Sequence, residues 1–400
     1  MLIWDNDFSN LLDYIKKQKE IPLILCDENT YEVCGKDIYR NLGDNSKLLV
    51  LPYNTHADEK HICKLIINTN DDNVIISVGS GSITDIARFV SYKQHLKFIS
   101  VPTAPSMDGY ASSVAALTID GIKTTLPAKP PELIFANLEI LKNAPHLLIK
   151  AGFGDLMGKY TALSDWKLAH ILLDEPLDTN VAEEMLKACE DTLKSIDKND
   201  FIKPLFEGLV KSGELMTKVG NSRPASGAEH HIAHYLEFLG YDLFHGIKVG
   251  IATFYVIKLY EFILEFDFEK MDQYVDYEID IKEWRKEIEE NFPKIHNRII
   301  EENIERIEMF NNIEFRKSLI EKIKLHQDDI KSLAENLSKK KREIIDGFKK
   351  IRFSLDIEDW NIKKEDLKKA ILYSLFIRDR FTILTLYYFL GLLKDFIKVV

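Results

Sequence analysis

The sequence predicts an α/β domain over residues 1–145 followed by an all-α domain over 146–400. Three observations carry that expectation. Short apolar runs alternate with helical periodicity in the first third of the chain. Strand signals stop near residue 150. The length of 400 residues exceeds one core of ordinary size.

The elements follow in order. Pro22-Leu23-Ile24-Leu25-Cys26 is a strand-like run that stops at Asp27-Glu28-Asn29. Residues 47–51, 73–78 and 96–101 are three more, the third ending in glycine and the fourth stopped by Pro102. Helical spacing fills 57–68 and 84–92 between them. Apolar strands alternating with helices predict a parallel sheet covered on both faces. Residues 156–220, 227–240 and 246–265 then read as helix. The stretch 266–350 is charged and amphipathic, with a break near Pro293. Within it Lys339-Lys340-Lys341-Arg342 reads as a solvated helix face. The apolar run 381–393 falls short of the roughly 20 residues a bilayer span needs and reads as a buried or subunit-facing helix.

With 46% hydrophobic and 29% charged residues, the composition is that of a soluble globular protein. A formal net charge of −11 argues against a nucleic-acid partner. It leaves room for a small phosphorylated substrate. Cys26, Cys34, Cys63 and Cys189 form no metal-binding or redox spacing and read as buried, reduced thiols. The start Met1-Leu2-Ile3-Trp4-Asp5 lacks a secretory pattern, so a cytoplasmic location is expected.

The chemistry concentrates in four places. Three of the eleven histidines, His230, His231 and His234, lie in Glu229-His230-His231-Ile232-Ala233-His234, with His245 further on. On a helix His230 and His234 share one face, and imidazole is the commonest metal ligand. Such a site usually needs a carboxylate from elsewhere, and Gly152-Phe153-Gly154-Asp155 offers one. Asp155 alone would equally serve as a helix N-cap, and His245 as a cap or a packed ring. Val78-Gly79-Ser80-Gly81-Ser82-Ile83-Thr84-Asp85 follows the third strand and opens a helix, a setting that suits a phosphate. Its spacing is not Gly-x-Gly-x-x-Gly, and a plain strand-to-helix turn would also need glycine. Thr103-Ala104-Pro105-Ser106-Met107-Asp108-Gly109-Tyr110-Ala111-Ser112 follows the fourth strand, where open α/β sheets bind ligands.

Taken together and in this order, these pieces resemble the iron-type polyol dehydrogenase superfamily, which includes glycerol dehydrogenase and dehydroquinate synthase. Within it they are most similar to the sn-glycerol-1-phosphate dehydrogenases, including the bacterial branch. Pro127-Ala128-Lys129-Pro130-Pro131, the stretch Thr161–Ala169 and Arg378-Asp379-Arg380-Phe381-Thr382-Ile383-Leu384 add to the likeness. The resemblance implies a dehydroquinate synthase-like fold: a Rossmann-like domain, a helical domain, and an active site in the cleft between them. It implies reduction of dihydroxyacetone phosphate to sn-glycerol 1-phosphate with NAD(P)H, a metal polarising the C2 carbonyl.

Residue by residue, Asp155, His230 and His245 match metal ligands. Gly79, Gly81, Ser82, Ile83, Thr84 and Asp85 match the cofactor phosphate loop. Thr103, Ala104, Pro105, Ser106 and Ser112 match the nicotinamide side, and Asp27 the ribose contact that favours NAD, with NADP the alternative. Asp108, Asp155 and His234 match substrate contacts, with His234 and Asp108 expected to act in proton transfer. Lys123 and Lys159 are candidates for the phosphate. Zinc, nickel and iron all accept such ligands. A homo-oligomer, dimer or larger, is expected. The rival activities are those of glycerol dehydrogenase and, further off, the dehydroquinate synthase lyase.

Overall fold

The structure, a computed structural model, describes residues 1–119, 122–198 and 200–398, with side chains for all of these except Ile122 and Lys123. The chain forms two compact units. The first is Met1–Leu156 with Lys187–Ser222, the second Met157–Leu186 with Arg223–Val400.

The first unit is built on a six-stranded sheet. Its strands are β1 (Leu2–Trp4), β2 (Ile21–Asp27), β3 (Lys47–Leu51), β4 (Asn73–Gly79), β5 (Lys97–Pro102) and β8 (Leu133–Ala136), in the order β1-β8-β5-β4-β2-β3. Every neighbouring pair is parallel. The four expected strands are all present. β1 and β8 add a flank that the apolar runs did not reveal. Each residue of β4 is buried, as a central strand covered on both faces must be. A hairpin of β6 (Val114–Ile119) and β7 (Ile122–Pro127) stands apart from the sheet.

Helix α1 (Glu59–Asn68) starts on an Asp58 cap, and α2 (Gly81–Lys93) follows β4 directly. Leu65, Ile86, Ala87 and Val90 of these helices pack with Leu23, Ile75 and Phe98 of the sheet. Full burial of one such aliphatic side chain stabilises by about 1.5–3 kcal/mol. Helix α3 (His146–Met157) and helix α4 (Ile202–Val219) complete what matters here of this unit.

The second unit has no strand among the described residues. Its helices include α5 (Ala228–Phe238), α6 (His245–Ile263), α7 (Gln327–Lys350) and α8 (Ile383–Phe389). The break expected near Pro293 falls between helices Ile281–Asn291 and His296–Asn311. Of the basic run on α7, Lys339 and Arg342 are exposed as expected, whereas Lys340 and Lys341 are half-buried; Lys339 pairs with Glu335, Lys340 with Glu343 and Lys341 with Glu261 of α6. Helix α8 is buried along most of its length, matching the expectation for 381–393. No helix of the described residues is long and apolar enough to cross a membrane.

One cysteine departs from expectation. Cys26, Cys34 and Cys189 are buried thiols, but Cys63 is exposed. It sits on the outer side of the amphipathic helix α1, where period alone could not place it. Burial pushes the Cys26 and Cys34 thiols up to about 12, so both stay protonated.

Candidate active site

In the first unit, β4 ends at Gly79, Ser80 is the N-cap residue and α2 begins at Gly81. Gly79, Gly81, Ser82, Ile83, Thr84 and Asp85 thus form one strand-to-helix junction. A side chain at Gly79 would put its Cβ 2.7 Å from Cβ of Ile83. Glycine there lets the strand run straight into the helix. Ser80, Gly81 and Ser82 are half-buried at the helix N-terminus, where unpaired N–H groups and the positive dipole end suit an anion. Ile83 and Thr84 turn into the core. Asp85 is buried and accepts from Arg88 Nη1 at 3.1 Å. Arg88 in turn donates to the carbonyls of Val114 (2.7 Å), Tyr110 (3.2 Å) and Gly109. Asp85 therefore helps to hold the neighbouring loop in place.

That loop is the hydroxyl-rich segment after β5. Thr103, Ala104, Pro105, Ser106 and Ser112 are all buried in it. Tyr110 Oη donates to the Ala104 carbonyl at 2.5 Å, and Ser112 Oγ accepts the Val114 N–H at 3.2 Å. Two helices press on it through glycines. A Cβ on Gly152 of α3 would lie 1.8 Å from the Pro105 carbonyl oxygen, and one on Gly213 of α4 would lie 2.9 Å from the Asp108 carbonyl oxygen. Asp108 is fixed at both ends. Its N–H donates to Asp155 Oδ2 at 3.0 Å, and its Oδ2 accepts from Ser212 Oγ at 2.9 Å. Ser212 and Gly213 escaped the sequence reading, because a serine and a glycine in an amphipathic helix carry no signal without the fold.

Asp155 is fully buried near the end of α3, so it cannot be an N-cap. Asp27, by contrast, does cap. It ends β2, accepts the Thr30 N–H at 2.8 Å through Oδ1, and forms a reciprocal box with the Thr30 hydroxyl. The cap uses Oδ1 and does not preclude a ribose contact through the other oxygen. The side chain of Lys123 lies outside the described residues.

In the second unit, α5 and α6 bring three imidazoles together. Ring centroids of His230 and His245 are 5.1 Å apart, His234 and His245 5.2 Å, and His230 and His234 6.3 Å. His230 Nδ1 lies 2.8 Å from Glu229 Oε1. Glu229 is fully buried and also accepts from Thr161 Oγ1 and the Gly227 N–H, each at 2.7 Å. Burial alone would raise its pKa, but these hydrogen bonds, led by His230, outweigh burial and hold it below the ordinary value. His234 Nδ1 and His245 Nδ1 lie 3.0 and 2.9 Å from the two oxygens of Glu237. His231 is fully buried, has no hydrogen-bond partner for either ring nitrogen among the described residues, and takes no part in the ring cluster. Burial and then the charge of Arg380 hold it neutral.

Burial, followed by the nearby Arg378 guanidinium, also drives the His234 pKa far below the usual imidazole range. His234 is therefore a neutral ring at physiological pH. Asp165 fixes the start of α5: its carboxylate accepts from the Ala228 N–H (2.7 Å), the Ile383 N–H (2.8 Å) and Tyr260 Oη (2.8 Å). Arg380 donates to the Ser226 carbonyl at 2.6 Å just before it. Lys159 is fully buried.

Chemically, each of the three imidazoles has its Nδ1 tied to a carboxylate. That arrangement orients histidine ligands for a divalent ion. Two such imidazoles with one carboxylate would make an N,N,O set of the kind catalytic metals use while keeping positions open.

The family profile described as iron-containing alcohol dehydrogenase matches residues 4–145. The "Glycerol-1-phosphate dehydrogenase [NAD(P)+]" of Bacillus subtilis (strain 168) is 38% identical over 277 residues, covering 64% of this chain and 70% of that protein. Its namesake from Geobacillus stearothermophilus is 39% identical over 280 residues, 65% and 69% of the two chains. The one from Thermococcus sibiricus is 34% identical over 252 residues, 61% and 72%. Among solved structures, glycerol dehydrogenase from Schizosaccharomyces pombe superposes with a TM-score of 0.60 at 17% identity, covering 100% of this chain and 89% of that one. A probable glycerol dehydrogenase from Sinorhizobium meliloti 1021 gives 0.63 at 13% identity, covering 100% and 97%. These two likenesses show the fold.

Proposed function

The chain belongs to the glycerol-1-phosphate dehydrogenase family, and we propose from that premise that it reduces dihydroxyacetone phosphate to sn-glycerol 1-phosphate with NAD(P)H. The observation that carries the chemistry is the set of three imidazoles, each anchored at Nδ1 by a carboxylate. Asp155, His230 and His245 are the residues that would hold one divalent ion, zinc or nickel in the first instance. The dinucleotide would lie along Gly79–Asp85 and the Thr103–Ser112 loop, with Asp27 biasing it to NAD. The donor set fits a catalytic metal, which when bound supplies Lewis-acid polarisation of a carbonyl, as the reduced nicotinamide supplies hydride.

The protein's own part is positioning and proton handling. Gly81 and Ser82 offer N–H groups to the pyrophosphate, while Ile83, Thr84 and Asp85 act from the core to shape that junction. Asp108, held at its N–H by Asp155 and at its carboxylate by Ser212, is the residue that would meet a substrate hydroxyl. His234 was expected to act in proton transfer, and burial followed by the Arg378 guanidinium holds its ring neutral. With Nδ1–H directed to Glu237, its Nε2 accepts a hydrogen bond from a substrate hydroxyl. In the oxidative direction that nitrogen takes the hydroxyl proton. In the reductive direction it must first be protonated through water.

No observation favours glycerol dehydrogenase as a second reading, since the relatives from Bacillus subtilis, Geobacillus stearothermophilus and Thermococcus sibiricus carry the glycerol-1-phosphate name. A cytoplasmic site of action and a homo-oligomeric state belong to the same proposal. The test is NADH oxidation by metal-reconstituted protein with dihydroxyacetone phosphate, followed by chiral analysis. The expected product is sn-glycerol 1-phosphate, with unphosphorylated dihydroxyacetone much poorer. Equal efficiency on both ketones, or a product of the sn-glycerol 3-phosphate hand, overturns the assignment.

A further inference from the structure

Glu237 bridges two of the three clustered imidazoles, and neither motif nor family likeness marked it. Its Oε1 lies 2.9 Å from His245 Nδ1 and its Oε2 lies 3.0 Å from His234 Nδ1. The side chain is 8% exposed, which removes competition from water. Lys248 Nζ sits 3.4 Å from Oε1 and is itself fixed on the carbonyls of Tyr241 (3.2 Å) and Leu243 (2.5 Å). The two rings held this way are nearly parallel, at 28°. An ionised carboxylate only accepts hydrogen bonds. Both Nδ1 atoms must then carry the proton, which leaves the lone pair of each ring on Nε2.

We propose that Glu237 is a positioning residue that sets the tautomer and aim of His234 and His245 together. One carboxylate thereby prepares a metal ligand and a substrate-facing base in a single step. The same three side chains have ligand atoms close enough to hold an ion among themselves. The Lys248 ammonium beside Oε1 opposes a cation there, which favours hydrogen bonding as the use of this carboxylate. The roles given to the two imidazoles rest on the proposed function, but the tautomer assignment does not.

The test uses metal-free full-length protein labelled with 15N-histidine. Long-range 1H–15N correlation spectra report which ring nitrogen is protonated, and His234→Ala and His245→Ala spectra assign the signals. Both rings are expected as Nδ1–H in the wild type. In Glu237→Gln the amide offers one oxygen and one N–H, so at least one ring should switch to Nε2–H. Glu237→Ala should release both rings and weaken zinc binding, read by chelator competition, by about 10–100-fold. Turnover of Glu237→Gln should fall more than its KM for NADH rises, because the residue meets neither substrate nor nucleotide. If Glu237→Ala does not fold, the glutamine variant decides.

Wild-type protein with Nε2–H at either ring, or a glutamine variant with both tautomers unchanged, overturns the proposal. Zinc that displaces the Nδ1 proton of His245 in the wild type does so too, because Glu237 would then be a ligand. A wild type that binds no zinc sinks the metal reading instead, and the metal-free spectra still judge Glu237.

Discussion

The backbone N–H of Asp108 donates to the carboxylate of Asp155 at 3.0 Å. This bond ties the hydroxyl-rich loop after β5 to the acid on α3. Asp155 thus has its Oδ2 committed to the loop, beside the ligand role proposed for its carboxylate. Asp155→Asn can keep the loop contact through its carbonyl oxygen but loses the charge. Outer-shell partners of a metal are worth about 10–100-fold in affinity, so loss of a ligand should cost at least that. Isothermal titration with zinc checks this, alongside an unchanged circular dichroism spectrum. Zinc affinity within twofold of wild type would remove Asp155 from the ligand set.

Gly152→Ala should be strongly destabilising. Its Cβ would stand 1.8 Å from the Pro105 carbonyl oxygen, a distance backbone must move to relieve. Overpacking of this kind costs about 1–3 kcal/mol or more. The urea midpoint should fall accordingly, and KM for NADH should rise because the displaced segment includes Ala104, Pro105 and Ser106. Wild-type stability would mean that α3 can shift freely along the loop.

Asp27→Ser separates the two roles of Asp27. Serine is also a good N-cap, so the bond to the Thr30 N–H survives and stability should change little. The negative charge is lost, and relative use of NADPH should rise by tenfold or so, about 1.4 kcal/mol of discrimination. A wild type that already prefers NADPH several-fold would show the assigned role to be wrong.

Asp165→Asn should lose about 1–3 kcal/mol. The carboxylate accepts N–H groups at both oxygens, Ala228 at one and Ile383 at the other. An amide must turn its own N–H toward one of them, whichever way it is flipped. Thermal melting of the two proteins gives the difference. Equal stability would mean that these helix starts find other acceptors.

Asp58→Ala gives the pH signature. Burial acts to raise the Asp58 pKa, but hydrogen bonds from the backbone N–H and ring of His61 outweigh it and hold it below 3.8. A folded-state pKa below the unfolded one means stability present above the ordinary value and lost as pH falls through the folded one. The variant should therefore be weaker by about 1 kcal/mol at pH 7. The gap should hold down to the ordinary value and close only below it. Denaturant titrations at several pH values check the sign, and a gap that widens in acid would refute it.

Much of the fold was legible because its physics is local. Residues 22–26, 47–51, 73–78 and 96–101 announce parallel strands as largely apolar runs, although β3 at the sheet edge is buried only at Leu51. β1 and β8 span three and four residues, too short for any period to declare itself. The loops after β4 and β5 were legible because glycine and hydroxyl residues cluster where strands end. The burial of Ile83, Thr84 and Asp85 was not, since their roles depend on which face α2 lays on the sheet.

By itself the sequence determined the class, the parallel sheet, the helical remainder, and a shortlist of imidazoles and carboxylates spaced for metal chemistry. These follow from periodicity and residue type, which act over a few positions. The tertiary structure alone decided that His230, His234 and His245 cluster while His231 is packed away. It also decided that Glu237 serves two rings, and that Ser212, Gly213 and Gly152 fix the loop bearing Asp108. Hydrogen bonds and close contacts join residues tens of positions apart, and only the packed chain sets which side chains come within 3 Å of one another.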